Sequence, residues 1–556
     1  MNRFARETLQ LACLLAAVLA LAACDSSSLY RPVRILLTTT TSSDALSLQG
    51  EIPRIEARLH AYRCPDNEPD CAFYWAEESK LLGLDQHDRA TNCPDASCVL
   101  TFTAQNPTRS IWLRDGLNYA LTVETFIDDD NPDEASSCGI SSFQVGPGAD
   151  NTVEIELKEC FVPFVAADGG NRHAVALDDQ GRVWAWGKQE GVGLGLTWQH
   201  DPVATPTQVQ PEGLEDGVRF TMVAAADYHS LALDSNGQLW VWGVGGAGQL
   251  GLGDEVWHGT PQPLEMAALD GFVYVAAGNQ SSFAIDSEGH TWAWGQNQAN
   301  KLGITEDNEW SSEIAVLRPA QVVLPDGVTF TMIAGGELEG ENGFSAALDE
   351  DGYVWTWGHE EYVNQNNPSD KNVPERLGRP DAVTPNFPGE VKFAGNQVTV
   401  VSLDVGGTFG VAADVDGAVW TWGSNDYGQL GLGLEADVTV GAPARVRFDA
   451  PDVRVVAVAA GRVHALALDD QGRVWGWGSN LSKSSVPASD AGYIYEPELV
   501  EFPQGVRVVR VAATEVGSIA IDATGQAWYW GDFTIRGDGL SESMRSPVQV
   551  KMPQRQ

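Results

Sequence analysis

The chain has 556 residues, enough for about two to four domains, and its 43% hydrophobic and 20% charged residues give a core-forming composition rather than a disordered one. The formal net charge of −42 repels phosphate backbones and excludes non-specific nucleic-acid binding, while it suits cationic partners, divalent cations or simple solubility. Two counts, 58 Gly and 19 Trp, call for a structural cause.

Residues 1–24 (MNRFARETLQLACLLAAVLALAAC) start with basic Arg3 and Arg6 and continue as an apolar run over residues 11–23. That run is too short to span a membrane and has the length of the hydrophobic part of an export signal. It ends in Leu21-Ala22-Ala23-Cys24, which resembles the lipobox of bacterial lipoproteins. The resemblance implies a signal peptide over residues 1–23, a lipid on the Cys24 thiol, a tether over residues 24–28 and attachment to the cell envelope. An ordinary signal peptide with a chance cysteine is the competing reading. The outer membrane or cell surface is the expected place. Asp25 resembles an inner-membrane retention signal, so the leaflet stays open.

Residues 29–160 are expected to form a small disulfide-bearing β-sandwich. Alternating runs at residues 33–37, 55–59, 99–102, 119–123 and 153–157 read as strands, with turn signals such as Asp115-Gly116 between them. Six cysteines fall here: Cys64, Cys71, Cys93, Cys98, Cys138 and Cys160. An even set in an exported chain suggests disulfides, and the local pairing Cys64–Cys71, Cys93–Cys98, Cys138–Cys160 is favoured among the alternatives. No Cys-x-x-Cys spacing supports zinc. The acidic stretch at residues 128–134 offers oxygen ligands for calcium but lacks the spacing of a helix-loop-helix calcium loop, so a solvated loop is the plainer reading.

Residues 161–556 are built from one unit repeated seven times. Trp-x-Trp-Gly begins at Trp184, Trp240, Trp292, Trp355, Trp420, Trp475 and Trp528, using 14 of the 19 Trp. Three residues before each stands Gly (Gly181, Gly237, Gly289, Gly352, Gly417, Gly472, Gly525), and six before stands Asp (Asp178, Asp234, Asp286, Asp349, Asp414, Asp469, Asp522). Asp-x-x-Gly between apolar runs predicts a hairpin turn in which the carboxylate accepts from turn amides and Gly takes a positive φ. The two Trp lie two apart, hence on one face of a strand. One hairpin cannot bury that face, whereas seven packed around an axis can, which predicts an all-β, seven-bladed β-propeller. A Pro-x-x-apolar run precedes most units, is missing before the first and is spare at residues 547–550 after the last. It is therefore expected to complete the first blade and close the ring.

Residues 229–253 (HSLALDSNGQLWVWGVGGAGQLGLG) and 422–431 (WGSNDYGQLG) resemble the repeat of the regulator of chromosome condensation family, over about residues 161–552. Units 4, 6 and 7 depart from it by lacking Gly-Gln-Leu-Gly. The resemblance implies the seven-bladed fold. The family's founding nuclear member is a nucleotide exchange factor that touches chromatin. A lipidated, exported, acidic chain is expected to meet neither a nuclear GTPase nor nucleic acid. Other bacterial members include a secreted inhibitor of β-lactamases, so the ring can serve as a binding face.

No catalytic motif, metal site or cofactor is expected: there is no nucleophile elbow, phosphate loop or His-Glu-x-x-His helix. His173, His229 and His464 share one repeat position, where other units carry Ser281, Phe344, Phe409 and Gly517. They could ring the axis around a metal, but Phe at the same position argues for packing between blades. Two regions are candidate binding sites. One is the insert at residues 359–397, with Glu360, Glu361, Tyr362, Arg376 and Arg379. The other joins Trp198 and His200 with Trp257 and His258. The expected role is an envelope-anchored binding protein, not an enzyme, whose loops recognise a protein or surface polymer. The alternatives are an enzyme acting on an envelope polymer and an inhibitor of an exported enzyme.

Overall fold

The computed structural model describes the backbone of the strands between residues 30 and 157. It also describes residues 162–553, except 172, 189–192, 197–202, 267–270, 298–299, 305–314, 337–342, 359–375, 380–386, 395–397, 434–437 and 533–545. The chain divides into two compact units, one built on Met1–Pro65 and Asp70–Phe161, the other on Val162–Pro553. Among the described residues no helix is long and apolar enough to cross a membrane.

In the first unit each of the five runs read from sequence lies inside a strand: Tyr30–Thr39, Arg54–Tyr62, Cys98–Phe102, Asn118–Phe126 and Thr152–Leu157. Thr108–Arg114 and Ser137–Gln144 are two further strands. Tyr30–Thr39 pairs with Thr108–Arg114 antiparallel and with Thr152–Leu157 parallel. The other four form a second sheet in which Arg54–Tyr62 and Asn118–Phe126 are central. Cys24, Cys64, Cys71, Cys93 and Cys160, the side chains of Cys98 and Cys138, and residues 128–134 lie outside the described residues.

The second unit contains seven four-stranded antiparallel sheets, each made of strands consecutive in the chain. Blade 2 is representative, with strands Phe220–Ala226, His229–Asp234, Leu239–Gly243 and His258–Pro263. The first strands of neighbouring blades touch one another around the entire ring, blade 7 meeting blade 1, so the first strands are innermost. The second strand is buried throughout, every residue of His229–Asp234 being at most 4% exposed, as expected of a strand covered by the blades on both sides.

The turn reading holds at every copy. Each Asp Oδ1 accepts the backbone N–H groups two and four residues later, as Asp234 does from Asn236 (2.9 Å) and Gln238 (3.0 Å). The following Gly has φ between 74° and 86° in all seven turns. The second Trp of each pair (Trp186, Trp242, Trp294, Trp357, Trp422, Trp477, Trp530) is at most 1% exposed. Aromatic rings clamp most pairs; Phe330 stacks on Trp357 at 5.7 Å, and Phe502 meets Trp530 edge-on at 5.7 Å. Such buried aromatics supply most of the packing energy between sheets.

One sequence expectation is corrected. The run at residues 547–550 does not complete blade 1. Val548–Gln549 pairs with Ala527–Gly531 of blade 7, with Trp528 opposite Gln549. The reason is local. In every blade the apolar residue ending this run donates its N–H to the carbonyl of the residue before the first Trp. Val209 does so to Val183, and Val550 to Ala527 at 2.9 Å. The run thus belongs to its own hairpin, and Phe164–Gly169 supplies the inner strand of blade 1. The ring still closes, because Val162 N–H donates to Pro553 O (2.8 Å) and Phe164 N–H to Gly525 O (2.9 Å). Val162, Phe164 and Trp186 of blade 1 share one apolar cluster with Ile519, Ile521 and Tyr529 of blade 7.

Candidate binding face

Antiparallel strands place the connections of each blade at two ends of the ring. The Asp-x-x-Gly turns lie at one end, and the third-to-fourth connections lie at the other, with the loops leaving the inner strands. The repeated polar residues are absorbed by the fold. Besides capping its turn, each Asp accepts the indole N–H of the first Trp through Oδ2, from 2.7 Å at Asp349–Trp355 to 3.1 Å at Asp469–Trp475. The turn-capping role was legible in the sequence; the indole bond was not.

The Gly-Gln-Leu-Gly segments are equally structural. Gln249 O accepts from both Trp294 Nε1 (2.9 Å) and Ser282 Oγ (2.8 Å) of the next blade. In blade 3 Lys301 takes the Gln place. Its ammonium donates to Asn279 O (2.6 Å) and Gln296 Oε1 (3.2 Å), and burial pulls its pKa down to about 7 although Asp227 opposes the shift. In blade 4 the segment reads Glu375-Arg376-Leu377-Gly378, and Leu377 is buried where Leu250 and Leu430 are. Sequence comparison missed this copy because only Leu and the second Gly persist.

The histidines are packing residues. His173, His229 and His464 are buried, and their Nε2 atoms lie 2.9, 2.9 and 3.0 Å from Ser230, Ser282 and Ser518 of the next blade. Desolvation lowers their pKa values to about 4, 3 and 4. Among the described residues no group of three or more His, Cys, Asp or Glu is arranged to hold a metal. Two acids escaped the sequence reading. At one inner-strand position five blades carry Ala (Ala224, Ala276, Ala334, Ala459, Ala512), but blades 1 and 5 carry Asp168 and Asp404. Each carboxylate accepts a backbone N–H of the next blade, Ala225 at 2.9 Å and Ala460 at 2.8 Å. Burial raises Asp168 to about 7 and Asp404 to about 6.

What the scaffold leaves unused collects at the third-to-fourth end. Of eight exposed large apolar residues described, Val256, Trp257, Tyr427, Val438, Leu481 and Tyr493 lie in or beside those connections. Trp257 is 60% exposed, while His258 opens the fourth strand of blade 2, half-buried opposite Gly243. Arg376 and Arg379 are half-buried in blade 4. Arg379 donates to Phe387 O at 3.4 Å, and burial lowers its pKa to about 10. Blade 3 stands between Trp257 and these arginines, so the structure does not gather them into one cluster. Trp198, His200, Glu360, Glu361 and Tyr362 lie outside the described residues, within the same class of connection in blades 1 and 4. Sequence reasoning missed Tyr427, Tyr493 and Tyr495, which come from two blades and meet in space. At the opposite end a cleft of about 620 Å³ lies beside the second-to-third turn of blade 2, between the connector that enters this blade and the one that leads to blade 3. Exposed Glu212 and Glu215 line it together with Asp234, whose carboxylate is already engaged by Asn236, Gln238 and Trp240.

The chain matches the family model described as the regulator of chromosome condensation (RCC1) repeat at residues 180–233, 236–285 and 416–468. A second model of that description matches residues 164–190, 222–249, 400–429 and 455–482. The ultraviolet-B receptor UVR8 of Arabidopsis thaliana is 28% identical over 382 residues, covering 67% of this chain and 78% of that protein. The human E3 ubiquitin-protein ligase HERC2 is 28% identical over 356 residues, 64% of this chain but 7% of the ligase. The crystal structure of human WBSCR16 is similar in fold, with TM-score 0.56 and 20% identity over 67% of this chain and 96% of that one. So is Prp20p of Saccharomyces cerevisiae, with TM-score 0.54 and 21% identity over 70% and 87%.

Proposed function

We propose that this chain, a seven-bladed propeller carrying regulator of chromosome condensation repeats, is a binding protein whose third-to-fourth connections form the recognition face. One observation carries the reading: the repeated polar and aromatic residues are consumed in holding blades together, while exposed aromatics concentrate at one end of the ring. Rigid scaffolds with variable loops are suited to recognition. Prp20p has binding properties toward Gsp1p and histones, which supports recognition as a use of this fold and does not transfer those partners to an acidic chain of this kind. We further propose the lipid anchor at Cys24, the location in the cell envelope and a disulfide-bearing sandwich over residues 29–160 as the means of display.

The test is quantitative capture of partners by three proteins: the unaltered chain, a face variant (Trp257→Ala with Tyr493→Ala) and an opposite-end variant (Asn236→Ala with Glu288→Ala). The reading expects a defined set of partners lost from the face variant alone. Equal capture by all three contradicts it.

The cleft bearing Glu212 and Glu215 favours a second reading, an enzyme acting on an envelope polymer. Polymer breakdown that stops in Glu212→Gln or Glu215→Gln would establish it; unchanged breakdown, or none, would remove it.

A further inference from the structure

We propose that the tyrosine cluster at the junction of blades 5 and 6 seats a lysine- or arginine-bearing segment of a protein partner. This rests on the binding-face reading and names what that part of the face takes. Tyr427 comes from the third-to-fourth connection of blade 5, and Tyr493 and Tyr495 from the fourth strand of blade 6. Their ring centroids are 5.8 Å (Tyr427–Tyr493) and 6.5 Å (Tyr493–Tyr495) apart. Tyr427 and Tyr493 are 38% and 36% exposed, beside Leu481 at 68%.

The repeat supplies an internal control. At the junction of blades 2 and 3 the backbone runs the same way. Gly253 N–H donates to Leu317 O at 2.8 Å, as Gly433 N–H does to Tyr495 O at 2.8 Å. Ala247 N–H donates to Gln249 Oε1 at 2.8 Å, as Tyr427 N–H does to Gln429 Oε1 at 2.8 Å. The strand registers match, Ala315 opposite Gln296 and Tyr493 opposite Ser479. The three places filled by Tyr at one junction are thus Ala247, Ala315 and Leu317 at the other. The scaffold does not require the phenols.

Their chemistry points to a cation. Adjacent aromatic faces attract ammonium and guanidinium groups. Asp426 next to Tyr427 and Glu496 next to Tyr495 are exposed carboxylates. Lys483, the one cation in residues 424–433 and 480–499, donates to Ser489 O and lies 3.6 Å from Asp490. A surface of this sign repels anionic lipid and nucleic acid and attracts a basic protein segment. Register also places Trp257 of blade 2 at the position of Tyr493, with Asp254 and Glu255 beside it.

The experiment titrates fluorescein-labelled arginine and glutamate decapeptides against the full chain at physiological ionic strength, following fluorescence anisotropy. Tyr427→Leu and Tyr493→Leu preserve charge and apolar area and remove the π faces. The expected result is binding of the arginine peptide alone, weakened about fivefold by either substitution. An arginine-peptide affinity unchanged by both substitutions would show that net charge alone holds it, and would overturn the proposal; so would equal binding of the glutamate peptide. The two variants are read separately, each checked for fold by circular dichroism. Partner capture that depends on Trp257 but not on the tyrosines would remove this proposal and leave the binding-face reading standing.

Discussion

The Nε2 of His229 lies 2.9 Å from the Oγ of Ser282 across the junction of blades 2 and 3. Ser282 spends its own proton on Gln249 O at 2.8 Å, so the imidazole is the donor and its Nε2 tautomer is fixed. His173–Ser230 and His464–Ser518 repeat the pair. Where Phe344, just before the second strand of blade 4, or Phe409 stands in place of the His, the next blade places Gly410 or Ala465 at the Ser position. Five of the seven junctions therefore come in two matched kinds, a hydrogen-bonded pair or an aromatic over a small residue, while those following Ser281 and Gly517 belong to neither.

That matching predicts coupling. His229→Phe alone forces a larger ring against Ser282 and removes the donor whose bond the buried Ser282 oxygen accepts, lowering stability by about 2–4 kcal/mol. Adding Ser282→Gly recreates the junction of blades 4 and 5 and is expected to recover about 1–2 kcal/mol of that loss. Urea unfolding of the two single variants and the double variant measures the coupling, and strict additivity would contradict it.

The turn aspartates are expected to be costly to remove. Asp234 is buried and bonded to two backbone amides and the Trp240 indole. Asp234→Ala leaves three donors unmet and is expected to cost about 2–4 kcal/mol, with Asp234→Asn costing less because one acceptor remains. The unfolding midpoint of each variant checks the order.

Stability is expected to respond to pH through two opposed sets of groups. Burial lowers His464 from 6.5 to about 4, so the stability tied to its neutral form is complete above pH 6.5 and is lost as pH falls toward 4. Burial raises Asp168 from 3.8 to about 7, so the stability tied to its protonated form is complete below pH 3.8 and is lost as pH rises through 7. The stability of the unaltered chain minus that of His464→Gln therefore rises with pH between 4 and 6.5. The same difference for Asp168→Asn falls between 3.8 and 7. Unfolding curves at a series of pH values read both slopes.

Position relative to the ring separates structural from recognition aromatics. Trp242→Ala empties a fully buried site and is expected to cost about 3–5 kcal/mol. Trp257→Ala, at a 60% exposed site, is expected to change stability by less than about 0.5 kcal/mol while reducing partner capture. Thermal melting and capture, measured on the same two proteins, check the contrast.

The blade frame was legible because each of its signals lies within a dozen residues. Asp, Gly and the paired Trp fix a hairpin whose bonds are all local. The junctions were not legible, because their partners are a full repeat apart. His229 says nothing of Ser282 until the register aligns one blade with the next. Tyr427 and Tyr493 likewise meet only after the ring closes. The spare run at residues 547–550 misled because a missing first copy and a spare last one suggest exchange between ends. The hydrogen bond from Val550 to Ala527 keeps it in its own blade. Blade 4 hid its copy at Arg376-Leu377-Gly378 because burial there demands only Leu and a turn glycine, whose φ is 68°.

Hydrogen exchange of the chain with and without a bound partner tests the binding face most directly. Protection is expected at residues 246–257, 424–433 and 480–493, with the Asp-x-x-Gly turns unchanged. Protection confined to those turns, around residues 179–182 and 235–238, would contradict the account.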